Sequence, residues 1–237
     1  KWSAEINLVD RIPGLMRRAF TKLRSGKPGP VLLEIPQDVA DEELKAATID
    51  YEPPPIVRSE ADPEGVRQAA RALLAAQRPL IHAGQGVLYA EATAELVQLA
   101  EFLQAPVMTT LSGKSAFPEH HPLSVGTGSR STTGGVYHFL RHADLLFGIG
   151  CSLARSGFAV PIPSGPVLVH ATNDADDINK DYPCRYPLVG DARLVLTQLL
   201  EELRKQVGVH GRPANPTLLE EIQTAKETWL EQWRPKL

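Results

Sequence analysis

The chain has 237 residues, with 25 lysines and arginines against 28 aspartates and glutamates, for a net charge of −3. That length buries a large core and leaves room for one full domain plus part of another, while a charge balance without a basic stripe argues against nucleic acid as a partner. No apolar run approaches the ~18 residues of a membrane span, no signal peptide is expected, and two cysteines (Cys151, Cys184) without a CxxC pattern fit a reduced, cytoplasmic setting.

Taken in order, Asn7 to Ser25 reads as a helix, because Leu8, Ile12, Leu15, Met16, Ala19, Phe20 and Leu23 recur at helical spacing. Asp10 is its expected N-cap. Gly26-Lys27-Pro28-Gly29-Pro30 stops it, and Val31 to Ile35 follows as a buried strand ended by Pro36. One helix and one strand do not make a domain, so residues 1–40 read as the tail of one. Residues 41–61 turn acidic and then proline-rich (Pro53-Pro54-Pro55) without periodicity, which predicts an extended interdomain linker.

Asp62-Pro63 opens a new helix as cap and first residue, with Val66, Ala69, Ala70, Leu73 and Leu74 as its apolar stripe. Regular alternation follows. The strand Pro79 to Ala83 runs into the turn Gly84-Gln85-Gly86 and a helix over Glu91 to Leu103. Next come a strand over Pro106 to Thr110, a Gly-Lys loop, and a helix over Thr133 to His142. Strands over Asp144 to Gly150, Pro166 to His170 and Tyr186 to Val189 lead to a last helix over Asp191 to Gln206. This alternation predicts an α/β fold over residues 62–207. Its core is a doubly wound, Rossmann-like parallel sheet of six strands, with helices on both faces and ligands at the carboxyl ends of the strands. Residues 208–237, with a helix over Pro216 to Trp233, read as a connector to a further domain.

The Gly84-Gln85-Gly86 turn admits two readings of about equal weight. It is either a tight turn, or a phosphate-binding turn whose free N–H groups face an anion at a helix start. His138 and His142 lie i, i+4 on one helix face, the spacing of a metal pair. Without a third ligand they read instead as an exposed or interface pair. His120-His121 reads as surface loop, Lys114 as a solvated loop charge, and Cys151 as a small buried hydrophobe rather than a nucleophile, since no base is paired with it.

Several stretches, in order and in register, resemble the thiamine-diphosphate enzymes of the acetolactate synthase type. They are GKPGPVLLEIPQDV (Gly26 to Val39), RPLIHAGQGV, APVMTTLSGKSAFPEHHPLSVG (Ala105 to Gly126), HADLLFGIG and YPLVGDA. The resemblance implies an intact enzyme of three domains. Residues 1–40 correspond to the end of the pyrimidine-binding domain and residues 62–207 to the central domain, while residues 208–237 lead toward the pyrophosphate-binding domain.

It further implies thiamine diphosphate and Mg²⁺ in the intact enzyme, decarboxylation of a 2-keto acid such as pyruvate with transfer of the two-carbon unit, and a homodimer or homotetramer. The family's catalytic glutamate lies upstream of every matched stretch and its GDG…N motif in the third domain, so no catalytic or metal-binding residue is expected here and the segment is expected to be inactive alone. Gly190-Asp191-Ala192 with Asn215 mimics that motif, but its third residue is Ala and the Asn precedes Pro; an ordinary turn capped by Asp191 is the better reading.

Relatives hold FAD, ADP or nothing in the central domain. The positions that would line that groove are Gly84, Gln85 and Gly86; Thr109, Thr110, Leu111 and Ser112; Gly126, Thr127 and Gly128; Cys151 and Ser152; and Ala171 to Asp174, including Thr172, with Asp191. Flavin-bearing relatives have Arg at the place of Ser152 and D-x-D where this chain has Thr172 and Asp174; Arg155 is the available replacement for the first. The two glycine turns are expected to converge on one anion point, with FAD absent and ADP weak or absent. The alternative to an enzyme fragment is a non-catalytic module that binds a nucleotide or is purely structural.

Overall fold

The structure, a computed structural model, describes residues 1–43, 52 and 55–236, so residues 44–51, 53 and 54 of the expected linker lie outside the described residues. The chain divides into two compact units, Lys1–Arg58 and Ser59–Leu237.

The first unit is built on two parallel strands, β1 (Trp2–Glu5) and β2 (Val31–Glu34), with Trp2 opposite Val31 and Glu5 opposite Glu34. Between them run a 3-10 turn (Val9–Arg11) and helix α1 (Ile12–Arg24); a short α2 (Gln37–Ala40) follows. β1 was not expected, since WSAE is short and mixed in character. Asp10 does not cap α1. It sits inside the 3-10 turn, while the helix starts two residues later with Arg11 at the cap position and no side-chain cap. The broad apolar face expected of this helix is largely open: α1 buries only Leu15 and Ala19, and Leu8, Met16, Phe20 and Leu23 are exposed. The small core of this unit is Ile6, Leu15 and Val39.

The second unit holds a six-stranded, wholly parallel sheet. Its elements are α3 (Pro63–Ala75), β3 (Pro79–Ala83), α4 (Gln85–Tyr89), α5 (Thr93–Leu103), β4 (Val107–Thr110), β5 (Ser124–Gly128) and α6 (Gly134–His142). They continue with β6 (Leu145–Ile149), β7 (Val167–Thr172), β8 (Tyr186–Val189), α7 (Ala192–Val207) and α8 (Pro216–Trp233). The strand order is β5-β4-β3-β6-β7-β8, so the chain winds outward twice from the central pair β3 and β6. Every residue of those two strands is buried, which is why both read as unbroken apolar runs.

Two elements depart from the sequence reading. The sixth strand is Ser124–Gly128, whose two glycines hide it from any apolar pattern. The helix expected from Glu91 is two helices, because the Ala90–Ala92 link carries Glu91 at φ 55° and ends α4 after five residues.

Helix starts follow the local chemistry. The Asp62 carboxylate accepts from Gly65 N–H (2.8 Å), Asp191 from Arg193 N–H (3.1 Å), and Asn215 from Leu218 N–H (3.1 Å). Asn215 is therefore a helix cap. α8, expected as a connector, packs on α6 and β5 as part of this unit. Gly134 makes room there for Trp229, which would lie 3.1 Å from a Cβ at that position. Glu221 of α8 meets His138 Nε2 at 2.6 Å and Arg78 Nη2 at 2.5 Å, giving His138 an interface partner, while His142 Nδ1 lies 2.7 Å from the His138 carbonyl.

The loop between α7 and α8 closes the back of the unit through Arg212. One guanidinium nitrogen donates to three carbonyls at the end of α3, those of Leu73 (2.9 Å), Leu74 (2.8 Å) and Ala76 (2.7 Å). Gly211 beside it has φ 65°, and a Cβ there would stand 2.4 Å from the Phe102 carbonyl oxygen. Helix carbonyls at a C-terminus have no internal partner, and a cation is their best cap. Arg212→Ala is expected to lower unfolding stability by about 1.5–3 kcal/mol, the range for hydrogen bonds to a charged group. Urea denaturation measures it, and a loss within about 0.5 kcal/mol would refute this role.

Candidate functional site

A doubly wound sheet opens a crevice where the two halves wind in opposite directions, outside the carboxyl ends of its central strands. Here that point lies between β3 and β6. The chain leaving β3 does not stand clear of β6: Gly84 N–H donates to Ile149 O and Gly86 N–H to Gly150 O, both at 2.8 Å. No side chain fits between them. A Cβ on Gly84 would be 2.3 Å from Gly150 O, one on Gly86 2.7 Å from Gly150 Cα, and one on Gly113 2.7 Å from the Gly84 carbonyl carbon. Gly150 itself has φ 62°, a conformation that glycine adopts at least cost.

These contacts account for two of the turn's N–H groups. The N–H groups of Gly84 and Gly86 are spent on β6, so at these two residues the turn is a main-chain crossing. The second glycine turn, Gly126-Thr127-Gly128, ends β5, two strands away and so about 10 Å off. The two turns do not converge on one anion point.

The other expected groove residues are likewise engaged with the protein. Thr109 and Thr127 share a hydroxyl–hydroxyl bond of 3.1 Å, and Thr110 Oγ1 accepts from Gly113 N–H at 2.9 Å. Thr172 Oγ1 donates to the buried Asp177 carboxylate (3.3 Å) and accepts from Asp174 N–H (3.2 Å). Asp174 caps Asp176 N–H, and Asp191 caps α7. Gln85 and Leu111 are exposed and Ser152 is half-exposed. Arg155 does not reach back to replace the missing arginine: its N–H donates to Asp181 (2.8 Å) and its guanidinium lies 4.8 Å over the Tyr182 ring. At positions 152 and 172 the residues do not fit the flavin anchors of the resembled enzymes: Ser152 is no arginine, and the Thr172 hydroxyl is bonded within the chain.

Cys151 is buried, its thiol points at the His82 carbonyl (3.6 Å), and burial pushes its pKa up to about 12. It is no nucleophile. Lys114 pairs with Glu119 (3.5 Å) at the surface, and His121 lies 3.2 Å from Glu101. A cleft of about 570 Å³ lies on α6 and α8, lined by Gly134, His138, Glu221, Thr224 and Trp229 among others and by no strand-end residue.

Sequence reasoning missed one group. His82 sits in β3 opposite Gly148 of β6, which in turn lies opposite His170 of β7. His170 Nε2 is 2.8 Å from the Cys151 carbonyl, but neither ring nitrogen of the buried His82 has a hydrogen-bond partner. Burial, and then repulsion by His170, push the His82 pKa down to about 4. The signal was present: an ionisable residue at the centre of the apolar run PLIHA.

A base whose folded pKa lies below its unfolded value stabilises the fold above that unfolded value, about 6.5. The contribution is lost as pH falls toward the folded value, here about 4. The expected loss over that window is about 3 kcal/mol. His82→Leu is expected to remove it, flattening the stability–pH curve measured by urea unfolding. Equal slopes in both proteins would refute the assignment.

Residues 66–199 match the family described as thiamine pyrophosphate enzyme, central domain. The chain is 35% identical over 199 residues to an acetolactate synthase large subunit of Corynebacterium glutamicum, an alignment covering 80% of this chain and 31% of that protein. It is 32% identical over 233 residues to a glyoxylate carboligase of Escherichia coli O157:H7, covering 97% and 39%. The crystal structure of benzoylformate decarboxylase from Polynucleobacter necessarius superposes with a TM-score of 0.72 at 26% identity, covering 92% of this chain and 40% of that one. The chain thus spans between about a third and two fifths of its relatives, a share that two archaeal relatives repeat at 35% and 38%. With a family model matching over most of the sheet unit and a solved structure superposing with a TM-score of 0.72 over 92% of the chain, the chain belongs to the thiamine pyrophosphate enzymes and carries their central domain.

Proposed function

We propose that this chain is the central-domain segment of a thiamine-diphosphate-dependent 2-keto-acid decarboxylase or carboligase of the acetolactate synthase type, and that it is inactive on its own. The observation that carries this reading is the family match over residues 66–199 together with relatives that are more than twice as long. The coenzyme supplies the carbanion chemistry when bound, and the protein around it supplies binding and orientation. Among the described residues, the candidates for holding its diphosphate and metal are otherwise engaged. Asp191, the one carboxylate that mimics a diphosphate-anchoring motif, is committed to two N–H groups of α7. Among the described residues no cluster of three His, Cys, Asp or Glu side chains is placed to hold a metal ion. Thiamine diphosphate and Mg²⁺ therefore belong, in this reading, to the flanking pyrimidine- and pyrophosphate-binding domains.

On this reading the segment is a scaffold between those domains in a cytoplasmic homodimer or homotetramer. Among the described residues no helix is long and apolar enough to cross a membrane, and both cysteines are free thiols. Purified chain supplied with pyruvate, thiamine diphosphate and Mg²⁺ is expected to form no acetolactate or acetaldehyde above a boiled control. The protein expressed with its flanking domains is expected to release CO₂ from a 2-keto acid in a thiamine-diphosphate-dependent way. Turnover by this chain alone overturns the first half of the reading, and a full-length protein inert toward pyruvate, glyoxylate and benzoylformate overturns the second.

A further inference from the structure

The stretch between β6 and β7 has no helix, yet it is held along its length. His170 Nε2 lies 2.8 Å from the carbonyl of Cys151 at one end, and Ile162 N–H donates to the Tyr182 hydroxyl (3.3 Å) at the other. Between these, Arg155 N–H donates to Asp181 (2.8 Å) and the Phe158 carbonyl accepts from Arg130 N–H (3.3 Å). Two side chains of the stretch turn inward onto glycines at the carboxyl ends of the strands. A Cβ on Gly148 of β6 would lie 2.9 Å from Leu153 Cδ1, and one on Gly128 of β5 2.9 Å from Val160 Cγ1. Leu153 and Val160 are both buried, and Leu153 is held at φ 45°, which a leucine adopts only where packing imposes it.

We propose that residues 151–163 form a fixed strap whose Leu153 and Val160 side chains fill the space over Gly148 and Gly128, closing the strand-end face to any flavin or adenine nucleotide. A nucleotide in that crevice needs open backbone close to its phosphates and a slot for its rings. In this chain the strap takes the slot, and the N–H groups of Gly84 and Gly86 are bonded to β6. The sheet is thus closed by its own chain, with no cofactor completing it. This inference does not depend on the keto-acid reading, and it is tested by melting rather than by turnover.

The first measurement is the melting temperature of the full chain with FAD, ADP or NAD⁺ added to about 1 mM, where a site of micromolar affinity stabilises the fold by several degrees. No shift is expected; a rise of several degrees with any of the three, or flavin retained through purification, overturns the proposal. The second is a double-mutant cycle. Gly148→Ala is expected to lower the melting temperature by more than about 3 °C, because the new methyl collides with Leu153. In a Leu153→Ala background the same change is expected to cost less, since the nearest colliding atoms are gone and only Cys151 Sγ, 3.3 Å away, still crowds the methyl. Gly148→Ala without effect, or an equal loss in both backgrounds, shows that the strap does not rest on Gly148 and overturns the proposal. Should Gly148→Ala alone fail to fold, recovery in the double variant still decides the question.

Discussion

The second unit depends on one constraint: at the point where its sheet changes winding direction, main chain must touch main chain. Gly84 and Gly86 leaving β3, Gly150 leaving β6 and Gly113 in the loop after β4 lie where a Cβ would come 2.3–2.7 Å from a neighbouring backbone atom. Cβ atoms do not approach so closely, so the crossing exists only because four residues lack one. Two hydrogen bonds, Gly84 N–H to Ile149 O and Gly86 N–H to Gly150 O, carry the central strand pair past its nominal end. The usual use of glycine at such a crevice is to let a ligand's phosphate near the backbone. Here another strand's backbone stands in that place, which is why a motif that looks like a nucleotide turn is a structural joint.

The same substitution of protein for ligand runs along the strand ends. Thr109 faces Thr127, Thr110 holds the Gly113 loop, Thr172 holds Asp177, and Asp174 and Asp191 cap the turns that follow them. Buried polar groups are satisfied or costly, and these are satisfied locally. The family's chemistry, in the proposed reading, is brought by neighbouring domains, and what this unit contributes is rigidity. Its two central strands are buried over their whole length, and Arg212 locks the far end of α3 to the loop that leads into α8.

Much of the fold was legible because parallel strands buried on both faces leave a strong signal. PLIHA and LLFGI stand out as apolar runs between Gly, Pro and helical periods. SVGTG gave no such signal, since Gly126 lies against Val136 and Thr133 and Gly128 against Val160 and Met108 instead of burying side chains of their own. In the first unit, α1 has the periodicity of a well-buried helix, yet Met16, Phe20 and Leu23 are exposed. Periodicity records which face is apolar and cannot say what covers it. The site was less legible than the fold for a related reason. Residue types at strand ends were legible, but whether a hydroxyl or an N–H points at a ligand or at a neighbouring residue is decided by contacts far apart in sequence. Thr109 and Thr127 are 18 residues apart, and Cys151 and His82 are 69 apart.

The row His82, Gly148, His170 shows how these constraints combine. Three adjacent strands place the three residues at one level, and the middle one is a glycine over which Leu153 comes down. His170 uses its ring to tie the start of the strap to the sheet, through the Cys151 carbonyl. His82, beside it, has no partner for either ring nitrogen and is held neutral by burial. Leaving such a group unpaired costs about 1–3 kcal/mol, roughly what the three bonds of Arg212 contribute on the other side of the unit. A leucine at position 82 would avoid that cost, so the stability of the isolated unit does not require histidine there. The residue sits at a level of the sheet where Met108 of β4 and Gly148 of β6 are its register partners, with Leu153 of the strap over Gly148.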